Sequence, residues 1–556
     1  MKFTGLFSFK NYSSSSTERS ASYNHYYMSS YDPSSMEYKI TRIGDEQSTA
    51  LTNDGSRNGD RKMYFQAILD YNRIFKEVHD LNIMFLYNQE QYDINGPTTL
   101  FSSLPQRKQG VAGRVSYSYD GRYYIEGNFG YNGSENFAKG HRFGFFPSIA
   151  VGYNISNEKF WQPIKPVISN LKIRGSWGLV GNDATNAGRF AYMEDLVLGG
   201  SDSYTTGIRQ DTYYSGPSWN RYFNPDLTWE VGEKINLGLD LQLFNDFNLT
   251  FDIFREKRRD IFMTRENSIP EIVGTGETKI TSNNGEMENK GLDLAIDYNK
   301  QITKDFFLSF KSTLTFARNK VLKMDESPYF EYPGLSDVGH PLGTYWGYVA
   351  DGLFPDQETI DNSPRQDLGY TPQPGDIKYV NQPNAKGEYD NVINSNDRVA
   401  IGHPYDPELV YGFGPSMKWK NWDFSFFFQG VARTSFMMYG MHPFGTTSIK
   451  NMLQFVADDH WSVDNPNPNA AYPRLTKDSN GNNDQYSTYW LRNAAFLKLK
   501  NAEIGYTYKG MRFYLSGVNL LTFSPFKHWD PEMGGGNGLY YPTQRVFNIG
   551  FQMTIQ

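Results

Sequence analysis

Apolar and polar residues alternate along most of this chain, and the alternation is clearest between positions 235 and 253. Ile235, Leu237, Leu239, Leu241 and Leu243 share one phase, and Asn236, Gly238, Asp240 and Gln242 share the other. Asn245-Asp246 breaks the run as a turn. The pattern then resumes with Phe247, Leu249, Phe251 and Ile253 against Asn248, Thr250 and Asp252. Successive side chains of a strand point to opposite faces, so a period of two marks a strand pair with one oily and one wet face. Its recurrence from end to end predicts an all-β chain: an antiparallel barrel with lipid outside and water inside.

Alternation and turn signals predict sixteen strands: 2–11, 62–75, 78–88, 110–119, 122–132, 143–154, 168–179, 228–243, 247–262, 286–300, 306–318, 408–419, 422–435, 490–507, 511–521 and 544–556. Short turns fall at Lys76-Glu77, Asp120-Gly121, Asn245-Asp246, Lys300 to Asp305, Lys420-Asn421 and Lys509-Gly510, whereas 180–227, 319–407 and 436–489 are long connections. Short turns on one rim and long loops on the other are the arrangement of outer-membrane barrels. The parity puts both ends of the chain on the short-turn, periplasmic side. On this reading Asn236, Asp240, Asn248 and Asp252 face the lumen. Trp419 and Trp422, flanking a short turn, belong to an interfacial aromatic girdle. Ser13 to Ser16 and Ser479 to Asp484 read as low-complexity loop pieces.

Composition modifies this picture in a few places. No run of eighteen apolar residues exists and mean hydropathy is −0.61, so no membrane helix is predicted. A closed barrel needs none, because its strands satisfy every backbone group among themselves. Aromatic residues make up 16% of the chain, which suits membrane interfaces and also sugar or peptide binding. The net charge of −7, without a basic block, argues against a nucleic-acid partner. There is no cysteine, which excludes disulfides, thiolate metal sites and a cysteine nucleophile. Met1 to Leu6 lacks the apolar core of a signal peptide, so the chain is expected to be a fragment of a longer exported protein.

Several segments taken together are specific where each alone is weak. They are Tyr117 to Tyr124, Asn132 to Phe137, Arg142 to Ser148, Asn154 to Glu158, Arg174-Gly175-Ser176-Trp177-Gly178 with Gly181-Asn182, and Asn289-Lys290-Gly291-Leu292-Asp293. Gly343 to Tyr348, Gly352-Leu353-Phe354, Gly375-Asp376-Ile377-Lys378-Tyr379, Arg398 to Gly402 and Phe424 to Gly430 follow. In order and spacing these resemble the SusC/RagA family of TonB-linked outer-membrane transporters over nearly the whole chain. The resemblance implies the C-terminal portion of a twenty-two-stranded barrel, so residues 1–556 would be a partial barrel domain without a plug. It implies import of oligosaccharides or peptides, a SusD-like lipoprotein lying over the barrel mouth, and TonB acting through a plug outside these residues. About six strands would be missing from the start, leaving strand one with an unpaired edge.

Candidate site residues are few. Tyr213, Tyr214, Trp219, Trp461 and Trp529 lie in predicted extracellular loops, where exposed rings could stack on sugars or peptide side chains. The alternative is that they pack the loops together or against the lipoprotein. Family members often carry a calcium-like loop after the Gly-Asp-Ile-Lys-Tyr motif. Here, between Asn381 and Asp397, the close Asp spacing is missing and Pro383 and Lys386 intrude, so a polar loop is expected and no metal. The eight histidines are scattered. Glu256, Asp260 and Glu266 read as solvated strand-end carboxylates, and no catalytic motif appears, so no enzyme is predicted. A second reading stays open: a surface-exposed all-β binding protein or adhesin without transport activity.

Overall fold

The computed structural model describes residues 1–556 except 47–49, 98, 185–187, 200–202, 266, 274–279, 328, 330, 440–451, 477–479 and 554–556. Sixteen strands form one antiparallel sheet in which each neighbour in space is the neighbour in sequence. They are β1 Lys2–Ser20, β2 Thr52–Phe75, β3 His79–Asn95, β4 Gln106–Tyr119, β5 Tyr123–Ser134, β6 Phe143–Asn154, β7 Ile168–Asn182 and β8 Glu230–Leu243. The second half comprises β9 Phe247–Arg265, β10 Ile280–Thr303, β11 Phe306–Lys323, β12 Leu409–Trp419, β13 Trp422–Ala432, β14 Phe496–Tyr508, β15 Met511–Phe523 and β16 Val546–Met553.

Each sequence-predicted strand has its counterpart, and the differences lie at the ends. β1, β2 and β10 run well past their expected limits of 11, 62 and 286. Ser13 to Ser16, expected in a loop, lies inside β1 and pairs with Ser56 to Gly59 on β2. Beyond the apolar band both phases are polar, so pairing continues where alternation no longer reports it. In the other direction, residues 435–437 and 491–493 do not extend β13 and β14 but pair with each other as a separate ribbon.

Register keeps the phases aligned across the wall. Trp177 pairs with Ile235, Gly175 with Leu237 and Ile173 with Leu239; Leu237 pairs in turn with Ile253, and Ile253 with Leu292. A one-residue slip would send this whole set to the other face, so the shared apolar phase specifies the pairing. Ile235, Leu237 and Ile253 stay 43%, 51% and 45% exposed, and no described element covers them. A soluble sandwich would bury this phase against a second sheet.

On one rim, β2–β3, β4–β5 and β14–β15 are joined by Lys76-Glu77, Asp120-Gly121 and Lys509-Gly510, with φ positive at both residues of each pair. That is the primed turn geometry whose twist matches antiparallel strands. The opposite rim carries the long connections, and these are folded. One cluster of buried residues gathers Tyr348, Leu353, Ile377, Tyr379, Phe436, Val456, Trp490 and Phe526 from three connections. A smaller one joins Phe137, Ala191, Leu227, Trp229 and Phe262. Both conventional hydrophobic cores therefore draw mainly on the connections rather than on the two faces of the sheet.

Candidate functional site

On the face opposite the exposed apolar phase, β7, β8 and β9 build a charged bridge. Arg174 on β7 stands level with Gly238 on β8, which in turn pairs with Asp252 on β9. Its guanidinium crosses the bare glycine and donates to both Asp252 oxygens, Nη1 to Oδ1 at 2.7 Å and Nη2 to Oδ2 at 2.6 Å. Nε donates to Oδ2 of Asp240 at 3.2 Å. A methyl group on Gly238 would sit 2.5 Å from Arg174 Cζ and 2.7 Å from Asp252 Oδ1, so the glycine is the gap through which the bridge forms. A bidentate guanidinium–carboxylate pair fixes direction as well as charge. Asn236 and Asn248 lie on the same face: Asn236 opposes Ser176 and Phe254, and Asn248 opposes Gln242 and Asp297. The four polar residues singled out in sequence thus share one face, and Arg174 joins them. Lys172-Ile173-Arg174-Gly175-Ser176 shows the same alternation, which is the signal that could have added it.

Above this face the loop assembly is held by a buried polar hub. Asp376, of the Gly-Asp-Ile-Lys-Tyr motif, is fully buried. Its Oδ1 accepts from Arg474 Nε at 2.7 Å, Asn483 Nδ2 at 2.8 Å and Asn480 Nδ2 at 3.0 Å, and its Oδ2 accepts from Gln373 N at 2.8 Å. Beside it Asn482 donates to Ile377 O at 2.9 Å, Ile377 N donates to Asn483 at 2.9 Å, and Tyr379 N donates to Gln366 at 2.6 Å. Such a network is stable only when every member is paired, because an unmet buried polar group costs about 1–3 kcal/mol. Asn480 to Asp484, read from composition as low-complexity loop, therefore includes the interior scaffold of the assembly. Burial pushes the Tyr379 hydroxyl far above its ordinary range, so it is a neutral donor, to Asn482 O at 2.7 Å. Lys498, also fully buried, ties the end of β14 to a third loop through Asp530 at 2.6 Å and through Glu532. Burial alone would raise the Asp530 carboxyl, but hydrogen bonds from Lys498, Thr543 and Glu532 N outweigh it and hold the group below its usual range.

The loop aromatics divide. Trp461 lies in the loop core, 7% exposed, with its ring over Gly375. Gly375 has φ +87°, and a Cβ there would fall 2.2 Å from Trp461 Cε3. Trp529 packs beside Phe526 and Phe436, and its Nε1 donates to Gly534 O at 2.9 Å. Both tryptophans pack loop against loop, the second of the two roles the sequence allowed, with Trp461 buried and Trp529 half-buried. Tyr213 and Tyr214 stay exposed on a small hairpin, with Tyr214 stacked on Tyr204 at 5.2 Å. Trp219 is half-buried and stacks on Tyr222 at 5.4 Å.

Between 381 and 397 Asp390 and Asp397 accept from backbone N–H groups, and Glu388 from the Asn384 amide. Asp397 accepts from Gln382 N and Asn394 N, each at 2.7 Å. Burial raises its carboxyl, partly opposed by those two N–H groups. Among the described residues no three or more His, Asp or Glu side chains gather as a metal site would require. Glu256 pairs with Lys234 and Arg258, Asp260 sits at a bulge of β9 with φ +57°, and Glu266 and His442 lie outside the described residues. At the short-turn rim Trp419 pairs with Trp422, whose ring centre is 4.8 Å from that of Tyr506. At the same rim Tyr119, Tyr123 and Tyr153 form a separate aromatic row across β4, β5 and β6, at 6.4 Å and 5.0 Å.

An antiparallel sheet in strict sequence order, apolar outside and polar inside, with short turns on one rim and folded loops on the other, defines an outer-membrane β-barrel protein. Residues 2–520 match the family model described as TonB dependent receptor-like, beta-barrel. TonB-dependent receptor SusC of Bacteroides thetaiotaomicron is 29% identical over 468 residues, covering 79% of this chain and 43% of that protein. TonB-dependent receptor P3 of Formosa agariphila is 27% identical over 478 residues, covering 80% and 45%. The solved structure of the RagAB peptide transporter superposes with a TM-score of 0.72 over 99% of this chain and 60% of its own, at 19% identity. The chain belongs to the TonB-dependent receptor β-barrel family, SusC/RagA type, and its place is the outer membrane. It spans about half the length, or less, of the curated relatives it matches.

Proposed function

We propose that these residues form the wall and extracellular loops of an importer that takes up oligosaccharides or peptides. The carrying observation is the polar face with its Arg174–Asp240–Asp252 bridge, lying behind an exposed apolar phase and beneath loops that are already folded. A wet, charged inner wall passes polar solutes, and loops on a rigid scaffold are where selection is made. Asn236, Asp240, Asn248 and Asp252 line the lumen, and Trp419 and Trp422 mark the periplasmic interface. Tyr213, Tyr214 and Trp219 are the aromatic faces left to meet a substrate. A SusD-like lipoprotein covers the loop rim. Energy reaches the transporter from TonB through a plug contributed outside residues 1–556, in a barrel closed by further strands. The family is one of receptors rather than enzymes, and we assign no catalytic step.

Uptake of labelled oligosaccharides and peptides by cells carrying the full-length protein tests this reading. Uptake should stop when TonB is removed; uptake that continues unchanged would make the protein a passive pore. Tyr213→Ala with Trp219→Ala should weaken substrate binding without altering the boiling-dependent gel shift of a folded barrel.

A further inference from the structure

The apolar phase ends at one level on three neighbouring strands, and the next outward position on each carries a cation. Ile253, Leu292 and Phe316 form one rung across β9, β10 and β11. Two residues further toward the loop rim, on the same outward phase, the rung is Arg255, Lys290 and Arg318. The next contains Lys257, Glu288 and Lys320. Lys257 is paired with Glu286 at 2.9 Å, so the wholly cationic rung is Arg255, Lys290 and Arg318, in a chain whose overall charge is −7.

Carboxylates lie between and beside the cations and are less exposed than they are. Glu288 binds Arg255 at 2.6 Å and Lys290 at 2.6 Å with its own side chain only 12% exposed, while those of Arg255 and Lys290 are 52% and 60% exposed. Glu408 holds Arg318 at 3.1 Å and is 4% exposed against 56% for the arginine. Each glutamate therefore holds one side of a cation whose own side chain stays about half exposed. Cations facing lipid are costly at mid-bilayer but cost little at the interface, so this row belongs at headgroup depth.

We propose that Arg255, Lys290 and Arg318 form a binding site for a phosphorylated lipid headgroup of the outer leaflet. Three donors on adjacent strands, about 5 Å apart, match the oxygens of a phosphate, and guanidinium groups favour bidentate contact with it. The lipid's acyl chains would then run down the apolar rungs that begin with Ile253, Leu292 and Phe316. The site is separate from the lumen and independent of which solute the barrel carries.

Full-length protein in detergent, exposed to bisphosphorylated lipid A or to its dephosphorylated form and passed over a sizing column, tests the site by native mass spectrometry. Wild-type protein should retain the phosphorylated lipid at least tenfold better, and excess inorganic phosphate should not release it. The combined Arg255→Gln, Lys290→Gln and Arg318→Gln variant should bind it about one hundredfold more weakly, at roughly fivefold per charge. Arg255→Lys with Arg318→Lys, which keeps the charges and the glutamate anchors, should lose less than tenfold. Equal retention of the two lipids by wild-type protein, release by inorganic phosphate, or undiminished retention by a folded glutamine variant would each overturn the proposal.

Discussion

Replacing Asp376 with alanine should loosen the loop assembly while leaving the barrel wall intact. The carboxylate is fully buried and receives four hydrogen bonds, from Arg474, Asn480, Asn483 and the backbone of Gln373. Removing it strands a guanidinium and three N–H donors at once. Breaking a buried pair by deleting one partner costs about 3–5 kcal/mol. Arg474 keeps a hydrogen bond to Tyr370 at 2.7 Å and is 17% exposed, so the loss belongs near the lower end, about 3 kcal/mol. At roughly 1.4 kcal/mol per tenfold, local opening should become about one hundredfold more frequent. Hydrogen exchange followed by mass spectrometry on the full-length protein in detergent reads this directly. Peptides covering 366–379 and 480–490 should lose about two orders of magnitude of protection, while β8 and β9 keep theirs. Asp376→Asn keeps the Oδ1 acceptor but turns an NH2 group toward Gln373 N, and should cost about 1–2 kcal/mol. If Asp376→Ala leaves exchange in these segments within about threefold of wild type, the hub does not hold the loops and the reasoning fails.

Gly375→Ala meets both a positive φ and the face of Trp461, so it should destabilise the loops by more than about 2 kcal/mol and red-shift tryptophan emission; unchanged fluorescence and protease resistance would contradict this. Gly238→Ala should push the Arg174 guanidinium off Asp252. In a double-mutant cycle the Arg174–Asp252 coupling, about 1 kcal/mol for a partly buried pair, should fall to near zero in the alanine background. The Asp530 carboxyl is held below its unfolded value, so its contribution is present above the ordinary aspartate range and is lost as pH falls through the depressed folded value. Protection in 524–545, taken relative to the intrinsic exchange rate at each pH, should therefore fall once the pH drops below the ordinary aspartate range, and Asp530→Asn should flatten that fall; identical pH profiles would count against the Lys498 tie.

What the sequence determined by itself is the wall. A strand that meets lipid on one face and water on the other must alternate, so period two reports every crossing, and the parity of short and long connections orients the set. The motif string placed the chain in its family for the same reason. The signal stops where the lipid stops: the outer halves of β1, β2 and β10 are polar on both phases, and pairing there depends on the neighbouring strand. Tertiary structure alone decided the loops. Asn480, Asn482 and Asn483 look like solvated filler in a row of letters, yet they are buried because Asp376, more than a hundred residues away, needs their amides and Ile377 needs their carbonyl and NH2 groups. Trp461 looks like a binding face until Gly375 brings the backbone against its ring, and Trp529 turns out to pack on Phe526. The Arg174 bridge likewise needs three strands in register and a glycine in the middle one. One-dimensional periodicity records which solvent a strand faces, whereas partners brought together across long loops leave no period to read.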